Sequence, residues 1–82
     1  MVNNIDYDDN FKKILKKLDT SVRNKVNKKI ELIIEHPEIG KPMRNIRKGT
    51  REVRVKPYRL SYYYNREKDL IIFLDFYHKD KQ

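Results

Sequence analysis

Two arginines of this chain, Arg54 and Arg59, are spaced so that they can act together on one anion. If Lys56-Pro57 forms the turn of a tight hairpin, Val55 pairs with Tyr58 and the two arginines lie directly opposite each other. Like charges opposed across a strand pair cost about 0.2 to 1 kcal/mol of stability. A bound phosphate or carboxylate would offset that cost, because two guanidinium groups can hold it through several charge-assisted hydrogen bonds.

The positive charge of the chain is concentrated around this pair. The stretch from residue 41 to residue 59 carries +7 of the net charge of +8. A field localised in this way indicates a polyanionic partner, either nucleic acid or a strongly acidic protein. The basic residues of the stretch are Lys41, Arg44, Arg47, Lys48, Arg51, Arg54, Lys56 and Arg59, and its one acid is Glu52.

The next strand is expected to add an acid and several rings to the arginine side of the hairpin. If Tyr64 pairs with Leu70, then Asp75 lies across from Arg59, where it can orient or satisfy that guanidinium. In this register the residues on the helix side are Leu70, Ile72, Leu74 and Phe76, and those on the arginine side are Ile71, Phe73, Tyr63 and Tyr77. A basic cluster beside rings suits single-stranded RNA, and it equally suits an acidic, partly apolar peptide.

Two helices and a three-strand meander are predicted to position these residues. One apolar series at helical spacing follows a capping aspartate, Asp8 or Asp9, and a second follows Asp19 and ends before Pro37. With a short edge strand at residues 5–7, the order is β-α-α-β-β-β, an α+β fold in which a helical hairpin packs on an antiparallel sheet. Residues 37–50 are predicted to form a loop with at most a short turn or strand.

The composition limits the class of protein. Eighty-two residues form one small domain, residues 1–82. With no cysteine there is no disulfide framework, and His36 and His78 are too far apart for a recognisable metal cluster, so we expect no metal and no cofactor. The polar N-terminus and the lack of a long apolar run indicate a soluble, cytoplasmic protein without a membrane partner.

Three segments carry a resemblance to a known family. They are LKKLDTSVRNKVNKKIELIIEHPEIGKPMR, GTREVRVKPYRLSYYY and LIIFLDFYHKDK. Together they resemble the RelE/ParE superfamily of toxins from type II toxin-antitoxin systems, and most closely its RelE branch. The most specific element is the hairpin followed by a hydrophobic strand that ends in HKDK. The resemblance covers nearly the whole chain and implies a compact microbial RNase-like fold.

The resemblance also implies an activity and its partners. RelE-type toxins are mRNA endonucleases that act on codons in the ribosomal A site and inhibit translation without a metal ion. A RelB-type antitoxin holds them inactive in a hetero-oligomer. The expected partners are therefore an antitoxin, the ribosome and mRNA. We expect the antitoxin to place an amphipathic helix on an apolar strip between the two helices and the sheet edge.

Site residues follow from the same resemblance. By motif position Arg54 and Arg59 match basic residues that RelE-type enzymes place at the phosphate, and Lys79 matches another. RelE-type enzymes commonly carry a tyrosine in a tail beyond the HKDK-like segment, where this chain ends. We therefore take His78 as the hypothesis for proton transfer, since histidine ordinarily exchanges a proton near neutral pH. The residues expected to contact RNA or the ribosome are Lys41, Arg44, Arg47, Lys48, Arg51, Lys56, Tyr77 and Lys81.

Two other functions are compatible with the sequence. The first is a ParE-like toxin that inhibits DNA gyrase without cutting RNA. The second is a catalytically weak RelE-fold protein that acts mainly by binding its antitoxin. The basic hairpin favours an endonuclease over a gyrase inhibitor.

Overall fold

The computed structural model describes residues 1–44 and 46–81, the last of these without its side chain. Within these residues the chain forms two helices, five strands and a terminal 3-10 turn. In chain order they are β1 (Asn4–Tyr7), α1 (Asp9–Lys17), α2 (Thr20–Glu35), β2 (Lys41–Pro42), β3 (Thr50–Val55), β4 (Tyr58–Asn65), β5 (Leu70–His78) and the turn Lys79–Lys81. The predicted α+β succession is confirmed, and the segment expected to be a loop adds the two-residue strand β2.

Each helix begins at an aspartate that satisfies its free amides. The Asp8 carboxylate accepts a hydrogen bond from the Asn10 N–H at 3.0 Å, and the Asp19 carboxylate accepts one from the Val22 N–H at 2.9 Å. The end of α1 is held by Arg23 of α2. Its guanidinium donates to the backbone carbonyls of Leu15, Lys16 and Leu18. These contacts hold the two helices together at their short connection.

The sheet is mixed rather than purely antiparallel. The strand order is β1-β5-β4-β3-β2, in which β3, β4 and β5 form the predicted antiparallel meander. β1 lies at the edge as predicted but runs parallel to β5, with Asn4 opposite Leu70 and Tyr7 opposite Phe73. This pairing joins the first strand to the last, and a parallel pair requires a long connection between its strands.

The helices cover one side of the sheet and form the core with it. The residues with no accessible surface are Phe11, Val26 and Ile33 from the helices and Leu60, Tyr62, Ile71 and Phe73 from the sheet. The Phe11 and Phe73 rings stack with their centroids 5.7 Å apart, which joins α1 to β5.

The last strand departs from the predicted alternation of faces. Ile71, Phe73 and Phe76 belong to the core, although we expected Ile71 and Phe73 on the opposite side. Two positions predicted for the core, Leu70 and Ile72, alternate with these residues and lie on the side away from the helices. The prediction was therefore correct for Phe76 and wrong for the first half of β5.

Two shifts in pairing explain the difference. The β4–β5 hairpin begins one residue out of the expected register, with Asn65 opposite Leu70. A bulge at Leu74 adds a second shift, because Phe73 and Asp75 pair with successive residues of β4. A strand in which nearly every residue is apolar has no polar alternation to reveal an extra residue.

Tyr62 fastens the loop between α2 and β2 to the centre of the sheet. Its hydroxyl accepts a hydrogen bond from the Gly40 N–H at 2.9 Å and donates to the Pro37 carbonyl at 2.7 Å. Burial raises the pKa of this hydroxyl, although the Gly40 N–H and the Arg51 charge act in the opposite direction. Arg51 also donates to the carbonyls of Glu38 and Gly40, at 3.0 and 2.7 Å. The loop is thus held by two side chains of the sheet.

Candidate functional site

The hairpin of β3 and β4 places Arg54 directly opposite Arg59, in the predicted register. Their neighbours Val55 and Leu60 are buried against the helices, so the alternation of side chains puts both arginines on the other side of the sheet. Arg54 is exposed and Arg59 is half-buried. We name the side of β3, β4 and β5 that faces away from the helices the arginine face.

Neither arginine is paired with a carboxylate anywhere in the described residues. The side-chain ion pairs found there join Lys12 to Asp9 and His78 to Asp80. Within the described residues the two guanidinium groups therefore oppose each other with no carboxylate at ion-pair distance, which is unfavourable for folding. They are free to bind an anion.

The two acids that were expected near the arginines are engaged elsewhere. Glu52 accepts a hydrogen bond from the Tyr77 hydroxyl. Asp75 accepts one from a neighbouring backbone N–H at 2.8 Å and one from the Asn10 side-chain amide at 3.3 Å. The prediction that Asp75 lies across from Arg59 is wrong. The two register shifts of β5 put Tyr77 opposite Arg59 and move Asp75 two pairs along the strand, opposite Ser61.

A pocket of about 250 Å³ lies at the turn end of this hairpin. It is lined by Arg54, Lys56, Pro57, Tyr58, Arg59, His78, Lys79 and Asp80. All four residues predicted to be catalytic thus line one pocket, which we name the hairpin pocket. The Lys79 N–H donates to the Pro57 carbonyl at 3.1 Å, and this bond holds the terminal turn against the hairpin.

His78 reaches this pocket from the end of β5, where strand alternation puts its side chain, like that of Tyr58, on the helix side of the sheet and not on the arginine face. It pairs with Tyr58 across the sheet, and the two rings meet edge to face with centroids 5.6 Å apart. Nδ1 of His78 accepts a hydrogen bond from the Asp80 N–H at 3.2 Å, and the Asp80 carboxylate lies 3.9 Å from the same nitrogen. With Nδ1 as acceptor, the neutral ring carries its proton on Nε2.

Glu52 is a further candidate. The sequence analysis named it only as the one acid within the basic stretch. It lies two residues before Arg54 on the same face, so its carboxylate belongs to the surface that an anion would approach. Its hydrogen bond from Tyr77 holds it in place. The sequence REVRV already contained this signal. Side chains two residues apart in a strand lie on the same face, so Glu52 and Arg54 were expected to share one.

The other cations predicted to contact RNA divide into two groups. Four are exposed and make neither an ion pair nor a ring contact within the described residues, namely Lys41, Arg44, Lys48 and Lys56. Two make contacts within the protein: Arg47 stacks over the Tyr63 ring at 4.1 Å from its centroid, and Arg51 fastens the α2–β2 loop. The side chain of Lys81 lies outside the described residues.

A second surface lies on the helix side of the sheet. It is an open groove of about 900 Å³ between α1, α2 and β1. Its apolar lining consists of Tyr7, Leu15, Ile30 and Ile34, and its polar lining of Lys12, Lys16, Arg23, Asn27 and Glu31. We name it the helix groove. It corresponds to the apolar strip that the sequence predicted between the helices and the sheet edge.

The part of the chain that the structure describes contains neither a metal-binding group of side chains nor a membrane-spanning helix. Within residues 1–44 and 46–81 no three His, Cys, Asp or Glu side chains are grouped so that they could hold a metal ion. Neither of the helices in these residues is sufficiently long and apolar to pass through a membrane.

Comparisons with known proteins agree on one group of relatives. The family model described as ParE toxin of type II toxin-antitoxin system, parDE, matches residues 5–82. No curated protein sequence gives a significant match.

Solved structures of the same fold come from bacteria and archaea. The isolated E. coli RelE toxin has a TM-score of 0.81 at 23% identity, covering 96% of this chain and 86% of that chain. The intact E. coli RelBE toxin-antitoxin complex has a TM-score of 0.77 at 24% identity, covering 89% of this chain and 92% of that chain. The archaeal RelE-RelB complex from Pyrococcus horikoshii OT3 gives 0.77 at 16% identity and covers both chains completely. The fold is therefore that of the RelE toxins.

Proposed function

The chain belongs to the ParE toxin family of type II toxin-antitoxin systems, and from this premise we propose that it is a toxin that cuts mRNA in the ribosomal A site. The observation that carries the proposal is the position of Arg54 and Arg59 at the hairpin pocket. They lie opposite each other, and neither has a carboxylate partner within the described residues. Folding gains nothing from this pair, whereas a phosphate gains two guanidinium partners.

The reaction places three demands on the site. The ribose 2′-oxygen forms a bond to the adjacent phosphorus while the bond from phosphorus to the 5′-oxygen breaks, which leaves a 2′,3′-cyclic phosphate and a 5′-hydroxyl. A proton must leave the 2′-hydroxyl, negative charge must be stabilised on the phosphorane, and a proton must reach the departing 5′-oxygen.

Arg54, Arg59 and Lys79 meet the electrostatic demand. All three line the hairpin pocket, so their charges surround one position where a phosphate can sit. Fixed cations stabilise the developing charge most strongly when they are already oriented before the reaction. The strand pairing holds the backbones of the opposed arginines in register, so both side chains extend from fixed positions on the same side of the sheet.

Glu52 and His78 are the residues proposed to move protons. Glu52 carries a carboxylate on the arginine face, which suits it to accept the proton of the 2′-hydroxyl. His78 lines the hairpin pocket and keeps Nδ1 engaged with the Asp80 N–H, so that Nε2 is the nitrogen that can donate to the 5′-oxygen. Lys79 then acts on the phosphate and not as the proton donor.

The exposed cations outside the pocket are proposed to bind the ribosome. Lys41, Arg44 and Lys48 present positive charge around the site without a carboxylate partner within the described residues. Lys56 lines the hairpin pocket itself and would add its charge there. Contacts of this kind to an RNA backbone position the protein without reading sequence. Docking would bring the A-site codon to the hairpin pocket.

The proposed antitoxin is of the RelB type, because two of the related structures are the E. coli RelBE toxin-antitoxin complex and the archaeal RelE-RelB complex. We assign the helix groove as a contact for an amphipathic antitoxin helix. Its apolar lining suits the apolar face of such a helix, and the ammonium group of Lys16 in its lining favours acidic flanks.

The test is a cleavage assay with defined ribosomes. Ribosomes holding one codon in the A site are incubated with the antitoxin-free protein, and the 5′ ends of the mRNA are mapped. We expect cuts within the A-site codon that disappear in the Arg54→Ala/Arg59→Ala variant. The matched control is Arg66→Ala/Lys68→Ala, which removes the same charge from the exposed β4–β5 turn and should leave the cuts in place.

The family name favours a second candidate, inhibition of DNA gyrase in the manner of a ParE-like toxin. Intact mRNA together with blocked supercoiling in a gyrase assay would support that candidate. Intact mRNA together with normal supercoiling would leave a protein that acts mainly by binding its antitoxin. Cuts outside the A site, or cuts on free mRNA, would contradict the ribosome dependence of the proposal.

A further inference from the structure

A second cavity lies on the arginine face, and no step of the proposed cleavage uses it. It has a volume of about 680 Å³, within the range of small-molecule sites. Its walls include three apolar side chains, Met43, Ile46 and Leu74, and three polar ones, Ser61, Asp75 and Tyr77. We name it the sheet cavity.

The sheet cavity lies beside the phosphate-binding pair. Ser61 and Asp75 face each other in the strand pairing, and the next pair on the same face is Arg59 with Tyr77. Successive pairs on one face of a sheet are about 7 Å apart along the strand. A nucleotide whose phosphate lies between the arginines can therefore place a base in the cavity.

Two polar side chains of the cavity have unused bonding capacity. The two hydrogen bonds that Asp75 accepts both fall on Oδ1, so Oδ2 of this half-buried carboxylate has no donor among the described residues. Thr50 also lines the cavity, is only 3% exposed, and its hydroxyl has no partner there. Buried polar groups in folded proteins nearly always have partners. The buried Thr50 hydroxyl therefore indicates a site that a ligand completes.

The apolar atoms suit a flat ring. Ile46 is 51% exposed and lies in the wall of the cavity, where its apolar surface is open to a ligand. The next residue, Arg47, stacks on the Tyr63 ring and adds a planar cation to the same segment. Bases bind proteins through apolar and cationic contacts on their faces and hydrogen bonds at their edges.

We propose that the sheet cavity holds one base of the A-site codon and that Asp75 selects a base with an exocyclic amino group, namely adenine, cytosine or guanine, against uracil. The inference rests on the proposed mRNA cleavage. A carboxylate can only accept hydrogen bonds, so it favours an amino group. Uracil presents carbonyl oxygens at the corresponding positions, and these repel a carboxylate.

The experiment compares codons that differ only in cytosine or uracil, because these two bases differ chiefly by an amino group and a carbonyl at the same position. Cleavage rates are measured on ribosomes for each such pair at each of the three codon positions. We expect the wild-type protein to prefer cytosine at one position by about 10-fold or more. Asp75→Asn should abolish or invert that preference, because an amide can also donate to a carbonyl.

Two further variants separate recognition from folding. Glu67→Gln removes the same charge from an exposed position in the β4–β5 turn and should leave the preference unchanged. Ile46→Ala alters an exposed side chain and should raise KM for cytosine and uracil codons alike. Thermal unfolding of each variant shows whether it is folded; Asp75→Asn keeps an oxygen that can accept from Asn10.

The outcomes distinguish this inference from the proposed function. Wild-type cleavage with no cytosine preference at any position overturns the inference alone. The same holds if Asp75→Asn slows cytosine and uracil codons equally, since Asp75 would then act through the fold. If the wild-type protein leaves every ribosome-bound mRNA intact, the proposed function fails and the inference fails with it.

Discussion

Single residues on the arginine face show where folding and function make opposite demands. Arg54 and Arg59 are opposed without a carboxylate within the described residues, and the nearest acid on that face, Glu52, is bonded to Tyr77 instead. A sequence selected for stability alone would place opposite charges here, since such pairs stabilise a sheet. The arrangement is understandable if the missing counter-charge is a substrate phosphate.

This conflict predicts a gain in stability when the arginines are removed. Arg54→Ala/Arg59→Ala should raise the free energy of unfolding by up to about 1 kcal/mol, because the like-charge pair is lost. Urea unfolding followed by circular dichroism measures the change. In the control variant Arg66→Ala/Lys68→Ala the stability should change by less. A clear loss of stability in the first variant would show that the arginines have partners that hold the fold.

His78 is the second residue whose role can be isolated. His78→Gln keeps a polar side chain of similar reach but cannot carry the proton, so A-site cleavage should slow by about 10²- to 10⁴-fold. The residual rate should also lose the part of its pH dependence that comes from the imidazole. Glu52→Gln provides the parallel test of the proposed proton acceptor. Undiminished cleavage in His78→Gln removes this histidine from the mechanism.

At the scale of elements, contacts between the α2–β2 loop and the sheet hold both in position. Tyr62 and Arg51 reach from neighbouring strands to the loop backbone, and Gly40 lies directly against both. β2 follows this loop and pairs with β3 beside Glu52. The loop therefore contributes to the position of the strand that carries Glu52 and Arg54.

Gly40→Ala tests this dependence. A Cβ at this position would lie 2.5 Å from the Tyr62 hydroxyl and 2.9 Å from the Arg51 Cβ, so strand or loop must move. We expect a loss of about 1 to 3 kcal/mol in the free energy of unfolding, as for other overpacked positions. Chemical denaturation measures it, with the exposed neighbour Glu38→Ala as control. An unchanged midpoint would mean that the loop is not tightly held.

At the scale of the whole molecule, the fold separates two surfaces. The helix groove lies on the helix side of the sheet, and the arginine face lies on the other side. An antitoxin helix in the groove would by itself leave the arginines open. Complete inhibition then requires the antitoxin chain to extend around the sheet or to keep the toxin from the ribosome.

The uneven charge of the molecule predicts opposite effects of salt on folding and on binding. Raising the salt concentration from about 10 mM to about 150 mM shortens the screening length from roughly 30 Å to roughly 8 Å. The repulsion within residues 41–59 should weaken, so Tm should rise. Over the same range the affinity for ribosomes should fall, as it does when cations bind a nucleic-acid backbone.

Differential scanning calorimetry and ribosome co-sedimentation measure the two effects. The Arg54→Ala/Arg59→Ala variant should show a weaker salt dependence in both, because two charges of the cluster are gone. A Tm that falls as salt is added would show that net attraction, not repulsion, dominates the charge pattern of the native protein.

Local features of this protein were determined by its sequence. The capping aspartates Asp8 and Asp19, the end of α2 before Pro37, and the opposition of Arg54 and Arg59 about a two-residue turn depend only on residues close in the chain. Short-range hydrogen bonds and strand alternation are sufficient to decide such features. The positive charge cluster was equally plain in the sequence.

The tertiary structure alone decided which distant residues meet. The parallel partner of β1, the bulge at Leu74 and the pairing of Asp75 with Ser61 depend on how the strands pack under the helices. An all-apolar strand fits more than one register equally well by pattern, and only the filling of the core selects one. For this reason the sequence indicated a phosphate site at the opposed arginines, while the cavity beside it and the position of Asp75 in its wall emerged only from the packed sheet.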